Sequence, residues 1–225
     1  MSRTRDLVVE ALAGVRDPEL DRPITDLGFV AAVKIRTDSR VRVELRLPTY
    51  FCAPNFAWLM VADARDAVAA LPGVGPVDVV LLDHFGSAEI NDGVAAVNSF
   101  AASFDGDGLD PDLVALRAVF ERKAHLAAQE RLARALVTAG FPAAGLAEVS
   151  ITAAASAAPE AAAGVVRRRE RLGVRSAWAF CDDSGLPLPP ERMPAWLRFA
   201  RTVRISIDGN AGFCQALLGT RYGLT

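Results

Sequence analysis

The first third of the chain carries the clearest alternation of apolar and polar positions. Apolar residues near the start recur at helical spacing and predict a helix that has ended by Gly14 and Pro18. Two segments that alternate apolar and charged residues follow, with Asp38-Ser39 between them, and predict a β-hairpin. A second helix after "PTYFCAP" and a strand in "VGPVDVVLLDHF" complete the pattern. We therefore expect helix, strand, strand, helix, strand: a small α/β sandwich whose sheet is covered on one face.

The rest of the chain has a different pattern. The turn-rich stretch 105–111 precedes a predicted long helix, for which Asp110 is the expected N-cap and Pro111 the first helical residue. The alanine-rich segment 151–173 is interpreted either as a helix interrupted near Pro159 or as a mobile linker. These features favour helical structure in this part.

Two further strands are predicted at 176–183 and 201–208, with a proline-rich loop between them. The whole chain is therefore expected to be α+β, with a small N-terminal α/β sandwich and a mixed, helix-rich C-terminal region. We place the boundary between the two domains at residue 85, so that the second domain comprises 86–225. The arginine run at 167–171 is interpreted as a solvated helix face, or as a docking surface for an acidic partner.

Composition and charge exclude several classes of function. The chain has 225 residues, of which 52% are hydrophobic and 23% charged, and its net charge of −2 does not favour nucleic-acid binding. Neither a signal peptide nor a run of membrane-spanning length is evident, so no membrane role is expected. Three widely spaced cysteines do not form a disulfide framework. We therefore expect a soluble protein of the reducing cytoplasm.

Cys52 is the main candidate for chemistry, because it lies between a predicted strand and a predicted helix in "PTYFCAPN". A thiol near a helix N-terminus experiences the positive end of the helix dipole, which lowers its pKa and favours the thiolate that binds iron or accepts sulfur. The alternative is a buried cysteine that acts as a small hydrophobic residue. The sequence motifs around Cys52 favour the reactive thiol over the buried hydrophobic residue.

Those residues carry a resemblance to a known family. Asp17-Pro18-Glu19, then Asp26-Leu27-Gly28, then Pro48-Thr49-Tyr50 and Cys52 occur in the order and spacing of the PaaD/SufT-like family of iron–sulfur cluster assembly factors. That family is built on the domain of unknown function numbered fifty-nine, and the resemblance covers roughly residues 5–85. It implies a cluster-assembly fold in which Cys52 is the working thiol, with Thr49, Gly28 and Pro54 supporting the motif.

The candidate metal ligands are Cys52 and, beside it, oxygen and nitrogen donors. Asp17, Glu19 and Asp26 could meet at one edge of the sheet, where carboxylates suit iron, and His84 follows the third strand. The other interpretation is that Asp17 and Asp26 cap turns and that His84 satisfies a turn. Since one cysteine cannot hold a cluster, iron or a cluster would be bound transiently, in a homodimer or in a site shared with a client.

The resemblance implies a maturation factor without enzymatic activity, which helps iron or an iron–sulfur cluster reach a client metalloprotein. Longer members are associated with multicomponent di-iron monooxygenases, so a component of such an oxygenase is the expected client, selected by the added domain. Two alternatives stay open: a metal-free folding helper for an oxygenase subunit, and an enzyme that uses Cys52 as nucleophile and His84 as base. Cys181 and Cys214 are interpreted as core residues or as further ligands.

Overall fold

The computed structural model describes residues 2–104 and 113–224. The predicted turn-rich break, with Asp110 and Pro111, lies outside these residues. The elements follow one another as α1 (Ser2–Ala13), β1 (Val30–Ile35), β2 (Val41–Arg46), α2 (Pro54–Ala69), β3 (Val77–Leu82), α3 (Ser87–Ala95), α4 (Phe100–Ser103), α5 (Leu113–Thr138), a 3-10 helix (Ala143–Glu148), α6 (Ile151–Ala157), α7 (Pro159–Leu172) and α8 (Met193–Tyr222). The protein is thus α+β, with a three-stranded sheet near its start and a helix-rich remainder, as predicted.

The described residues divide into two compact units. The first comprises residues 2–104 with Leu113, together with 209–224 from the far end of the chain. The second is the intervening segment Val114–Asp208. Helix α8 therefore contributes its first half to the second unit and its last turns to the first.

The sheet of the first unit has the strand order β1-β2-β3. Strands β1 and β2 form the predicted antiparallel hairpin, with Val33 opposite Val43, and the turn is closed by Ser39 at a φ of 62°. Strand β3 lies parallel to β2, with Val79 opposite Val43. Along β2 the side chains alternate between buried and half-buried positions, so the period-two pattern of the sequence reports a face packed on the core.

The core of the first unit lies between the sheet and its helices. Helix α2 buries Trp58 against Phe100 of α4, whose ring centroid is 5.7 Å away in an edge-to-face arrangement. A β-carbon added to Gly93 would come within 2.7 Å of the Trp58 ring, so α3 can approach α2 closely because this residue is a glycine. This packing fixes α2, which begins two residues after Cys52.

The second unit is helical in most of its length. Helix α5 runs to Thr138, two residues before Gly140, and the alanine-rich segment forms two helices that separate at Ala158 and Pro159. The interpretation as an interrupted helix is confirmed. A buried cluster that includes Leu132, Leu136 and Phe180 forms the core of this unit.

Both strands predicted in the second unit are wrong. Residues 201–208 are helical, because buried Met193, Ala200 and Ile207 follow one another at seven-residue spacing along α8 and form a helical stripe. Residues 176–183 form an irregular loop, in which only the isolated bridges of Trp178 and Cys181 are strand-like. The short apolar patterns that suggested strands are overridden by packing over a longer range.

The interpretation of the arginine run as a solvated face is wrong for two of its members. Arg168 and Arg169 are buried, and the Arg169 guanidinium fills a polar niche in the second unit. It donates hydrogen bonds to the carbonyl oxygens of Trp178 and Ala179, at 2.8 and 2.9 Å, and to His125 Nε2 at 3.3 Å. These bonds hold the irregular loop against α5 and α7, where a strand ladder would otherwise satisfy the backbone.

His125 should make the stability of the protein depend on pH. Burial, Arg169 and Arg168 lower the pKa of His125 to about 4, whereas an unfolded histidine titrates near 6.5. Protons therefore bind preferentially to the unfolded chain, so this contribution is complete above pH 6.5 and is lost as pH falls towards 4. A difference of this size corresponds to about 3 kcal/mol.

Urea titrations between pH 4 and pH 7.5 would measure this contribution. In His125→Gln, the side-chain oxygen can still accept from Arg169 but does not titrate, so we expect a flatter pH dependence than in the wild type. Parallel pH profiles of the two proteins would contradict the assignment.

Candidate functional site

Cys52 lies in the turn that leads from β2 into α2. Helix α2 begins at Pro54, which occupies a first-turn position that needs no hydrogen-bond donor, and Ala53 is its N-cap without a side-chain capping bond. Cys52 therefore stands one residue before the cap, with a half-buried side chain. Its sulfur lies 3.2 Å from Thr49 Oγ1, so the threonine of the family motif hydrogen-bonds directly to the thiol.

His84 fixes this turn from the end of β3. Its ring is buried, and Nδ1 accepts a hydrogen bond from the Gly86 amide at 3.1 Å. The neutral ring must then carry its proton on Nε2, which donates to the Cys52 carbonyl oxygen at 2.7 Å. Burial is the main cause that lowers the pKa of His84, in keeping with a neutral ring. His84 thus positions the backbone of Cys52 and does not face its sulfur.

The carboxylates of the two acidic motifs have separate roles in the described structure. Asp17 is buried, and its Oδ1 accepts from the amides of Glu19 and Leu20 at 2.9 and 2.8 Å. Burial raises the pKa of Asp17 to about 6 in spite of these two bonds. The side chain of Glu19 accepts from Asn210 at 3.2 Å, and Asp26 is exposed. Asp17 therefore caps a turn, which is one of the two roles considered for it.

The glycine of the second motif allows a left-handed turn. Gly28 has a φ of +75°, a conformation that costs little only for glycine. A β-carbon at this position would also lie 3.2 Å from Leu218 Cδ2 on α8. Gly28 therefore serves both the backbone turn and the close approach of α8.

The last turns of α8 form part of the site, which sequence reasoning missed. Arg221 donates to the carbonyl oxygens of Leu47 and Asp83, at 3.2 and 2.6 Å, and so ties together the ends of β2 and β3. Tyr222 donates to the Asp83 carboxylate at 3.3 Å. Gln215, further back on the helix, donates to the Asp26 carbonyl at 3.0 Å. A helix more than a hundred residues away in sequence thus covers the loops that carry the motifs.

Cys214 lies on the same face of α8, one helical turn after Asn210. Cys52 and Cys214 are both partly buried against the hydrophobic core of the first unit. Burial raises the pKa of Cys214 to about 11, and Asp17, Cys52 and Glu19 add to this effect through their charges. Cys181, by contrast, is buried in the second unit.

Exposed aromatic rings border the Cys52 turn. Phe51 is 75% exposed, Tyr50 57% and Phe85 49%. The rings of Tyr50 and Phe85 are 6.2 Å apart, and the Phe85 amide donates to the Tyr50 carbonyl at 3.0 Å. We call these three residues the aromatic patch. Such rings are frequent in protein interfaces.

The predicted ligands do not assemble into a complete metal site. Within residues 2–104 and 113–224, no group of three or more histidine, cysteine, aspartate or glutamate side chains could hold a metal ion. The ligand roles of Cys52, Asp17, Glu19, Asp26 and His84 remain predictions. None of the described helices is long and apolar enough to cross a lipid bilayer.

The thiol turn precedes α2 on a small sheet, and residues of the sequence motif surround it. The family model described as "Iron-sulfur cluster assembly protein" matches residues 5–79. This chain belongs to that family, and so to the proteins that handle iron–sulfur clusters.

Similar proteins extend this comparison. An uncharacterized protein of Methanocaldococcus jannaschii is 30% identical over 89 residues, which are 40% of this chain and 92% of that protein. Iron–sulfur cluster carrier proteins of Mycobacterium bovis and Mycobacterium leprae are 41% and 36% identical over 86 and 88 residues. The match covers 36% of this chain but only 22% of each carrier protein. No solved structure matches this chain significantly.

Proposed function

We propose that this chain is a cytoplasmic maturation factor that helps iron or an iron–sulfur cluster enter a client protein, with Cys52 as its working thiol. The observation that carries the proposal is the position of Cys52 inside the family segment. Its sulfur is half-buried, hydrogen-bonded to Thr49, and located just before the N-cap of a 16-residue helix. Such a thiol is anchored in a turn and still accessible enough to exchange a ligand.

The iron or cluster is the cargo of this site. Since the described residues offer no complete set of ligands, the cargo would be held by few protein donors and completed by the client or by a second copy of the chain. An incomplete ligand set suits a carrier, because the acceptor can approach an open position on the metal. The aromatic patch beside Cys52 supports docking of a protein partner.

The experiment is to compare wild type and Cys52→Ser in cluster binding and transfer. Both proteins would be purified without oxygen, and their iron, sulfide and visible absorption measured. Each would then be reconstituted and mixed with an apo-ferredoxin as a generic acceptor. We expect Cys52→Ser to lose the bound iron and sulfide and most of the transfer rate, whereas Cys181→Ala keeps both. Equal transfer by wild type and Cys52→Ser would contradict the proposal.

For the client, we propose a component of a multicomponent di-iron monooxygenase, selected by residues 86–225. The support is that this chain resembles the longer family members, which are associated with such oxygenases. The added region, residues 86–225, is also large enough to bind a protein client. Producing such an oxygenase with and without this chain would test the assignment, with iron per oxygenase as the readout. We expect less iron in the oxygenase when the chain is absent, and equal iron content would overturn the assignment.

A metal-free folding helper is the second candidate function, because the described residues offer no three-ligand site. In this case Cys52→Ser would support oxygenase maturation as well as wild type does. Catalysis by a Cys52–His84 pair finds less support, since both ring nitrogens of His84 already bond to the backbone of Cys52 and Gly86.

A further inference from the structure

We propose that Cys214 of α8 is a second thiol ligand for the cargo, acting together with Cys52. The inference rests on the proposed function and names a residue outside the family segment 5–79. It follows from the way in which the last turns of α8 are fixed on the first unit.

Contacts before and after Cys214 locate it over the motif loops. Four residues earlier, Asn210 bonds to the Glu19 side chain, and seven residues later Arg221 bonds to the Leu47 carbonyl, shortly before Thr49. Because an α-helix has 3.6 residues per turn, residues four and seven positions apart lie on one face, so Cys214 lies between these two anchors on the same face of α8. The face is therefore turned towards the loops that carry Asp17 and Cys52.

The environment of Cys214 agrees with this placement. Its thiol is partly buried against the same core cluster as that of Cys52. One turn after Cys214, Leu218 packs closely on Gly28 of the second motif, where a β-carbon would lie 3.2 Å from Leu218 Cδ2. Next to Cys214 on α8, Gln215 donates to the backbone carbonyl of Asp26. The charged side chain of Arg221 lies two turns further along the same helix.

Two thiols suit the cargo better than one. Thiolates are the protein ligands of iron–sulfur clusters, and binding displaces one proton from each thiol into solvent. Two sulfurs from this chain would hold half of the four-thiolate set that an ordinary cluster takes. The other half remains for the client or for a second copy of the chain, so the cargo stays transferable.

The first test counts the thiolates that reach a metal. Anaerobic full-length wild type, Cys52→Ser, Cys214→Ser and Cys214→Ala would be titrated with Co²⁺, whose sulfur-to-metal charge-transfer band grows with each thiolate bound. We expect each single variant to keep about half of the band or less. Cys181→Ala provides the matched control, because it removes a cysteine of the second unit, and should keep the full band.

The second test measures proximity without any cargo. Phenylarsine oxide condenses with two neighbouring thiols and releases one water, so a bridged adduct forms only if both sulfurs can reach the arsenic. Mass spectrometry of digested protein should show Cys52 and Cys214 in one adduct in wild type, and no bridged adduct in either single variant.

The outcomes separate this inference from the proposed function. If Cys52→Ser loses iron and sulfide while both Cys214 variants keep them, and no bridged adduct forms, the second ligand is overturned and the proposed function stands. If wild type itself binds no iron or sulfide and transfers none, both are overturned. Loss of cargo in all three variants, with bridging in wild type, supports the thiol pair.

Discussion

Replacing Arg169 by methionine is expected to destabilise the second unit by about 3 to 5 kcal/mol, because each buried acceptor left without a donor costs about 1 to 3 kcal/mol. The guanidinium donates to the carbonyls of Trp178 and Ala179 and to the His125 ring. Methionine fills much of the same volume but donates nothing, so these acceptors would be left in the interior without a partner. A loss of this size is a large part of the stability of a small domain.

The alkylation rate of Cys181 would measure this effect locally. Cys181 is 1% exposed in the folded protein and reacts only when the second unit opens. We expect its rate in Arg169→Met to rise on the order of 100-fold or more, since each 1.4 kcal/mol corresponds to a factor of ten. Arg169→Lys keeps the charge and part of the hydrogen bonding, so its Cys181 alkylation rate should lie between those of wild type and Arg169→Met. An unchanged rate in Arg169→Met would show that the loop is held by other contacts.

Replacing His84 by alanine is expected to cost about 2 to 4 kcal/mol in the first unit, from a cavity and from two lost hydrogen bonds. The ring bridges the Gly86 amide and the Cys52 carbonyl, and it stacks on Phe85 with centroids 4.8 Å apart. Without it, the turn that carries Cys52 loses its support from β3. The variant should therefore bind less cargo even where it remains folded.

Urea unfolding and the alkylation rate of Cys52 would report the two effects separately. In His84→Asn, the side-chain oxygen can still accept from the Gly86 amide, but the shorter side chain does not bring its NH2 group to the Cys52 carbonyl oxygen. We expect this variant to recover part of the stability while Cys52 keeps an altered rate. If His84→Ala unfolded at the same urea concentration as wild type and Cys52 reacted unchanged, the bridge would have no structural importance.

The sequence predicted the first unit well because its signals are local. Alternation along Val41, Val43 and Leu45 reports a single buried face, and Pro54 marks the start of α2. The motif around Cys52 needed only short-range spacing. Its thiol partner Thr49 was recognised as part of the motif, although the hydrogen bond itself required the structure.

Helix α8 and the buried arginine could not be predicted from local patterns, because they depend on contacts between residues far apart in sequence. Residues 201–208 alternate for a few positions as a strand would, and only the seven-residue spacing of buried side chains, read over four turns, reveals α8. Nothing local indicates that Arg221 would bond to Leu47, or that Arg169 would be buried within a run of arginines. In the part of the chain that the structure describes, both arginines donate to backbone carbonyl oxygens of other segments that have no partner in a helix or sheet.

The return of α8 to the first unit has a consequence for biosynthesis. The ribosome makes the Cys52 turn early, but the helix that covers it emerges only after Val114–Asp208 has been translated. During that interval the nascent chain lacks the hydrogen bonds of Arg221 to Leu47 and Asp83. Closing the long loop later carries an entropic cost that rises only slowly with its length. The contacts of α8 with the Cys52 turn and its neighbouring loops therefore form only after translation has passed Tyr222.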